Sequence, residues 1–442
     1  MTTATIQLTE QQSQGADKLR TWYQSDSDQV FRLFGYAGSG KSTVASYLVD
    51  QLNASNTIYA AYTGKAAYVL RSKGCVGAST IHSLIYLPAE KARKHLTTLL
   101  ETLEGQTDEG QRRILQRQID LERKKLESPT WILRDEDETE LTDADLLVID
   151  EVSMVGERIA LDLLSFGRKT LVLGDPAQLP PVDGGGYFID AEPDHLLTEI
   201  HRSALDSPVT RIATTIRSAT LGQSGYGICG LDGDSGRTDR ITIPNLLAAD
   251  QVLCGTNKTR WQAIHLLRAL RGLTGDMPTA GDRIMILANS ANAEVFNGQQ
   301  FEVRTSSDVD GYPDRIRLDV TDEEGQERSI VSWRAGFGGV EGEKLAKRDG
   351  HGSVAAATYG QAVTVHKAQG SQWARVLVVD ESGVFASIAE RDEAKARRNV
   401  GLPDHGHSRA AGHKAGQRWL YTAATRAAEQ ITIIPRLTGV LT

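Results

Sequence analysis

Three cysteines in 442 residues, Cys75, Cys229 and Cys254, lie far apart and form no Cys-x-x-Cys pair. That scarcity argues against a disulfide framework and a zinc ribbon, and it fits a reducing compartment. No apolar run is long enough to span a bilayer. The opening MTTATIQLTEQQ lacks the basic-then-apolar order of a signal peptide, so a cytoplasmic protein with no membrane partner is expected. An excess of basic residues is also missing: 49 Lys and Arg stand against 57 Asp and Glu, a net charge of −8. Much of that acidity is local. Residues 135–145 carry seven acids and no Lys or Arg, whereas 391–418 carry seven Lys or Arg against three acids. A broad basic face for phosphate is excluded, but a narrow channel of modest, salt-sensitive affinity is not.

What is present points to an α/β chain of about two to four domains. Short apolar runs alternate with helix-length segments, as in parallel strands covered on both faces. Candidate strands are VFRLFG (30–35), TIYAAY (57–62), DLLVID (145–150), TLVLGD (170–175), QVLCGT (251–256), VLVVDES (376–382) and QITIIP (430–435). Three stretches break the rhythm. Residues 88–127, with nine basic and eight acidic residues, read as a solvated helical hairpin. Residues 281–360 alternate short strand patterns with Asn-Gly and Asp-Gly turns, which predicts a small antiparallel, barrel-like insertion. Residues 384–416, rich in Ala, Arg, Gly and His, read as a long loop or short helices. Their His405, His407 and His413 lack ligand-spaced partners, so a polar loop is expected there and not a metal site.

The sharpest motif is Gly35-Tyr-Ala-Gly-Ser-Gly40-Lys41-Ser42, a full G-x-x-x-x-G-K-[ST] match between a predicted strand and a predicted helix. Its backbone N–H groups, with Gly38, Ser39, Gly40 and Thr43, would cradle phosphates at a helix N-terminus. Lys41 would reach the β- and γ-phosphates, and the Ser42 hydroxyl would ligate Mg²⁺. A phosphate loop needs a second carboxylate site on a neighbouring strand, and LLVIDEVSMV supplies it. There Asp150 would hold Mg²⁺ and Glu151 would polarise the attacking water. Together these two halves specify a nucleoside triphosphatase.

The remaining motifs, in their order, resemble superfamily 1 helicases, most closely the RecD/Dda-like subgroup, from Leu8 to Ala427. LTEQQ puts Gln12 where that family reads adenine. Thr63-Gly-Lys65 and Ser79-Thr80-Ile-His82 look like motifs Ia and Ib. Gly174-Asp175-Pro-Ala-Gln178 looks like motif III, which couples nucleotide to the DNA track. Thr198-Glu-Ile-His-Arg202 resembles motif IV, Thr364-Val-His366-Lys367-Ala-Gln369-Gly370 motif V, and Tyr421-Thr-Ala-Ala-Thr425-Arg426 motif VI. The resemblance implies two tandem RecA-like P-loop domains with parallel sheets. The first spans 1–87 and 141–195, and the second 196–280 and 361–442. A helical and β-hairpin insertion at 88–140 and an SH3-like β insertion at 281–360 interrupt them.

The resemblance assigns catalysis to Lys41, Glu151, Gln178, Arg202 and Arg426. It assigns nucleotide contacts also to Gln12, Gly370 and Gln372, the last standing where Glu is common. Another departure is His265, where the family commonly has Asn. Thr63, Lys65, His82, Thr364, His366 and Lys367 suit backbone phosphates of single-stranded DNA. Trp131, in a hairpin read over SPTWILRDEDETELTDAD, is a candidate wedge or an anchor for that hairpin. The implied activity is an ATP- and Mg²⁺-dependent, 5′→3′ DNA helicase in replication, repair or recombination. It would act as a monomer on single-stranded and forked DNA, with a single-strand-binding or replisome protein as a further partner. The chain length is near the compact Dda-like core, without a fused nuclease or amino-terminal extension, pointing to a phage or small accessory helicase. An RNA or RNA–DNA hybrid helicase, and an ATP-switched single-strand-binding recombination mediator, stay open at this level.

Overall fold

The computed structural model describes residues 8–25, 28–52, 54, 56–106, 108–125, 131–181, 185–200, 206–290, 293, 295–322, 325–349 and 354–437. Its first sheet has six parallel strands. Their order across the sheet is Ser79–Thr80, Thr57–Ala61, Leu146–Asp150, Thr170–Gly174, Val30–Gly35 and His195–Leu197. Alternation within Val30–Gly35 explains why both faces are covered. Phe31 and Leu33 pack on Ala16, Leu19 and Trp22 of helix Glu10–Gln24 and on Val44 and Val49 of helix Lys41–Gln51. Val30 and Phe34 point the other way, toward Ile81, Leu84, Ala160 and Leu163. A parallel sheet is stable only when flanked in this manner, because crossovers place helices on both sides.

The second sheet runs Ala362–Thr364, Gln251–Cys254, Trp373–Val379, Ala427–Ile434, Ser235–Arg237 and Leu231–Asp232, with only the last pair antiparallel. One face packs on helices Pro208–Ser218 and His407–Ala424 through Ile212, Ile216, Trp419 and Leu420. The other face packs on helix Asn257–Leu270 and runs into the core of the third sheet. That third sheet contains Arg283–Ile286, Gln300–Val309, Tyr312–Thr321, Glu327–Trp333, Val354–Ala355 and Ala357–Tyr359. Its pairings are antiparallel apart from Glu327–Trp333 with Val354–Ala355. Inward Phe301, Val303, Ile316, Leu318, Val320 and Ile330 make its core, as the alternating pattern requires.

Residues 88–127 form the expected helical hairpin, Ala89–Gly105 and Glu109–Lys125, over the residues described. One expectation fails. The stretch before Asp150 is not a β-hairpin of its own. Trp131–Leu133 pairs antiparallel with Tyr86–Pro88, so the helical hairpin is the connection, and residues 136–143 turn in short 3₁₀ segments. The seven acids there leave few apolar positions for a second strand. The Trp131 side chain, candidate wedge, lies outside what is described. Of the long loop or short helices expected over 384–416, the structure has helices, and longer ones: Ser382–Asn399 and His407–Ala424, with left-handed His405 and Gly406 in the turn between. Alanine is the best helix former, and Gly412 lets the two helices approach until a Cβ there would stand 2.8 Å from the Ala386 carbonyl. Among the described residues no helix is long and apolar enough to cross a membrane, and no His, Cys, Asp and Glu group could hold a metal by itself.

Candidate nucleotide site and the cleft across it

Parallel strands send their C-terminal ends to one edge, and there the sheet gathers its chemistry. Val30–Gly35 runs into the phosphate loop, Leu146–Asp150 ends at Asp150-Glu151, and Thr170–Gly174 between them ends at Asp175. In the loop, Gly38 (φ 80°) and Gly40 (φ 78°) take left-handed conformations, which lets successive N–H groups turn toward one concavity. Lys41 Nζ donates to the carbonyls of Gly35 (2.6 Å) and Tyr36 (3.2 Å). Helix Lys41–Gln51 begins directly at the loop. The backbones of Ser42 and Thr43 belong to this first turn, while their side chains are outside what is described.

Lys41 acts on both buried aspartates. Asp150 has its carboxyl pushed up, first by burial and then by Glu151, against the pull of the Glu151 N–H, Lys41 and Lys73. Asp175 is pushed up by burial and held back by Lys41, by the Tyr421 phenol and by the Ala177 N–H. Glu151 is itself left-handed (φ 57°, ψ 45°), and its N–H donates to Asp150 Oδ1 at 2.8 Å. A non-glycine residue held in that region costs of order 1–3 kcal/mol and is concentrated at functional sites. A divalent cation at Asp150 would relieve the crowding of this buried carboxyl beside Glu151.

Gln12 is buried on helix Glu10–Gln24, where its carbonyl accepts from Thr9 N–H (3.0 Å) and its amide donates to Ser39 O (3.2 Å). It therefore braces the phosphate loop. Beside it, Gln11 accepts from the N–H groups of Thr198 and Glu199 (2.8 and 3.0 Å), anchoring the start of motif IV. Arg202 lies outside the described residues. Gln178 is buried with its carbonyl oxygen unpartnered among the described residues, a costly arrangement unless something else supplies a donor.

Across this edge stands the second sheet's helix His407–Ala424. Its polar residues at Arg418, Tyr421, Thr422 and Thr425 follow the i, i+3, i+4, i+7 pattern of a single face. Tyr421 donates to Asp175 Oδ2 at 2.7 Å and accepts from the phosphate-loop N–H of Ala37 at 3.0 Å. Thr422 Oγ1 accepts from Leu179 N–H at 2.8 Å, and Arg418 donates to Pro176 O at 3.2 Å. Gln369 adds a bond to Leu179 O at 3.0 Å. On the loop's other flank, Arg217 from helix Pro208–Ser218 lies over the Tyr36 ring, 3.7 Å from its centroid. Sequence reading quoted Asp175, Gln369 and Tyr421 within motifs but assigned them no role, and it passed over Arg217. Arg426 is buried on the second unit, bonded to Thr425 Oγ1 (3.1 Å) and Ser371 O (3.5 Å). Gln372 donates to Thr425 O at 3.4 Å.

Two residues expected from sequence to contact DNA, Thr63 and Lys65, touch the second unit at Gly370 and Trp373. Thr63 caps helix Gly64–Ser72 through Ala66 N–H (3.1 Å), and Gly370 (φ 76°) lies so close that a Cβ there would stand 2.8 Å from Thr63 Oγ1. Lys65 Nζ sits 5.0 Å from the Trp373 ring. Half-exposed Phe296, from the third sheet's first connection, covers Gly64. Thr364 is buried at the end of its strand. His82 is set between Tyr62 and Tyr86, and His366 against Phe385; burial lowers the affinity of both imidazoles for a proton. Burial and Arg260 push the Lys367 ammonium down to about 8.

Residues 7–224 match the family model described as an AAA domain. Over 257 residues the chain is 29% identical to the ATP-dependent RecD2 DNA helicase of Deinococcus radiodurans, which covers 53% of this chain and 32% of that relative. The chain thus spans about a third of the relative's length. Two solved Pif1 structures share the fold. One, described as showing DNA unwinding at forked double-stranded DNA by two coordinating Pif1 helicases, has a TM-score of 0.50 at 17% identity. The other, a Bacteroides Pif1 bound to single-stranded DNA, has a TM-score of 0.50 at 16% identity. Each comparison covers 98% of this chain and 93% of the other. The amino-terminal half therefore matches an AAA-domain model, and the whole chain shares its fold with Pif1, beside a motif order that resembles superfamily 1.

Proposed function

We propose that the protein is an ATP-driven DNA helicase that moves 5′→3′ on single-stranded DNA and separates duplex strands. The observation that carries the reading is the cleft. The phosphate loop and its three carboxylates belong to the first sheet, while Tyr421 and Arg217 reach them from the second. A nucleotide bound at the loop lies where both units grip it, and losing its γ-phosphate removes a shared ligand, so the units part with each cycle. Single-stranded DNA would lie along Thr63, Lys65, His82, Thr364, His366 and Lys367; the contacts of Lys65 with Trp373 and of Thr63 with Gly370 across the cleft support this. His82 and His366 would act as neutral hydrogen-bonding groups, since burial opposes their protonation. The direction of travel rests on the RecD- and Dda-like motif series, and the domain limits stated from sequence are part of the proposal.

In hydrolysis, Glu151 would orient and deprotonate the attacking water, a role that its fixed left-handed backbone suits. Lys41 would follow the γ-phosphate charge, with Gln178, Arg202 and Arg426 completing its surroundings. Asp150 and Ser42 are the residues that would hold Mg²⁺, whose chemistry is to neutralise charge on the phosphate oxygens. Gln12 would read the base while bracing the loop, and Gln372 would face the ribose. Trp131 remains the proposed wedge.

Forked substrates carrying only a 5′ tail or only a 3′ tail test the reading. Unwinding of the 5′-tailed fork alone, with ATP, is expected. Unwinding of the 3′-tailed fork would reverse the direction, and hydrolysis without unwinding of either would remove the helicase.

A further inference from the structure

We propose that Tyr421 is a positioning residue for hydrolysis, whose phenol passes the state of the phosphate loop to Asp175 and to the motif VI helix. The proposal rests on the ATPase reading above. Among the described residues, the Tyr421 hydroxyl bonds to both strand-end elements: it accepts from Ala37 N–H at 3.0 Å and donates to Asp175 Oδ2 at 2.7 Å. The ring is 1% exposed, so water does not substitute for either partner. Arg418 and Thr422 on the same helix grip the loop after Asp175 at Pro176 O and Leu179 N–H, but their contacts stop there. Arg217, which covers Tyr36, also faces the phenol.

The chemistry of the two bonds differs. The bond to Asp175 is charge-assisted, whereas the bond from Ala37 joins a neutral amide to a neutral oxygen. An anionic phosphate oxygen accepts roughly twice as strongly as a neutral one, so it takes the Ala37 N–H in preference to the phenol. The phenol then keeps Asp175 alone. Occupancy of the loop is thereby written into the helix that ends at Thr425 and Arg426. Asp175 also senses the change, because its other neighbours are Lys41, Glu151 and the Ala177 N–H.

Tyr421→Phe keeps the ring and removes the hydroxyl. With saturating single-stranded DNA, kcat for ATP is expected to fall about tenfold while KM changes less than about threefold, the pattern of a lost transition-state interaction. The acidic limb of the rate profile is expected to move to higher pH, because Asp175 loses a donor that favours its charged form. Combining it with Asp175→Asn, which disturbs the other end of the bond, is expected to cost no more than about twofold beyond the worse single variant. Thr422→Val removes a cleft hydrogen bond that does not touch the phosphate loop, and is expected to lower kcat less than about threefold.

An unchanged kcat and pH limb in folded Tyr421→Phe overturns the proposal. So do additive losses in the pair, or an equal loss in Thr422→Val, which would make the effect general adhesion of the cleft. If Tyr421→Phe does not fold, Asp175→Asn against Thr422→Val makes the same comparison; a loss in Asp175→Asn no larger than in Thr422→Val overturns it. A wild-type protein without ATPase sinks the underlying reading, whereas an active wild type with an indifferent Tyr421→Phe sinks only this inference.

Discussion

The two parallel sheets share an architecture and divide the labour. The first holds the phosphate loop, Asp150, Glu151 and Asp175 at its strand ends, with Lys41 acting on both aspartates. The second is built as a similar six-stranded layer, yet it contributes a helix face of Tyr421, Thr422 and Arg418 and the cation of Arg217. The comparison separates a sheet edge that gathers the phosphate loop and three carboxylates from a helix face that the other unit presents to it.

If that division is right, the largest effect comes from the first sheet. Glu151→Gln is expected to bind ATP and DNA but lose turnover by about 10²-fold or more, the usual worth of a general base. Steady-state hydrolysis measured beside nucleotide binding checks it, and near-normal turnover would remove Glu151 from its role.

Substitutions facing the cleft from the second unit should be milder and should show chiefly when DNA is bound. Arg217→Ala removes a cation from the Tyr36 face, an interaction worth about 0.5–2 kcal/mol, so DNA-stimulated kcat is expected to fall roughly two- to thirtyfold. A loss of the same size as in Glu151→Gln would erase the distinction between the sheets. Gly370→Ala sets a methyl 2.8 Å from Thr63 Oγ1 at a left-handed position. It is expected to weaken single-stranded DNA binding severalfold, at a backbone cost of about 1 kcal/mol or more, read by fluorescence anisotropy.

The smallest effect concerns pH. Lys367 is held at about 8, so the fraction charged falls as pH rises through that value, and DNA affinity should weaken between pH 7 and pH 9. Lys367→Met should flatten that part of the profile. A profile unchanged by the substitution would take Lys367 off the track.

The chemistry-bearing half was legible in the sequence because its signals are local. Gly35 to Ser42 lie within one turn between a strand and a helix, and Asp150-Glu151 end a plainly apolar strand. The antiparallel character of residues 281–360 shows in short strand patterns separated by Asn-Gly and Asp-Gly turns. The coupling half was harder to read, because its partners are distant: Tyr421 lies 384 residues from Ala37 and 246 from Asp175. The helical spacing of Arg418, Tyr421, Thr422 and Thr425 is the available signal, and the preceding Ala- and Gly-rich stretch, which reads equally as a long loop or short helices, obscures it. Strand Trp131–Leu133 was misassigned for a similar reason, since its partner Tyr86–Pro88 lies on the far side of the helical hairpin.

The central claim is that hydrolysis on the first sheet is governed from the second through the cleft that also carries DNA. The most direct test is the steady-state ATPase rate of the wild-type protein with and without single-stranded DNA. Strong stimulation by the oligonucleotide, lost in Glu151→Gln, is the predicted result; equal rates with and without it would contradict the account.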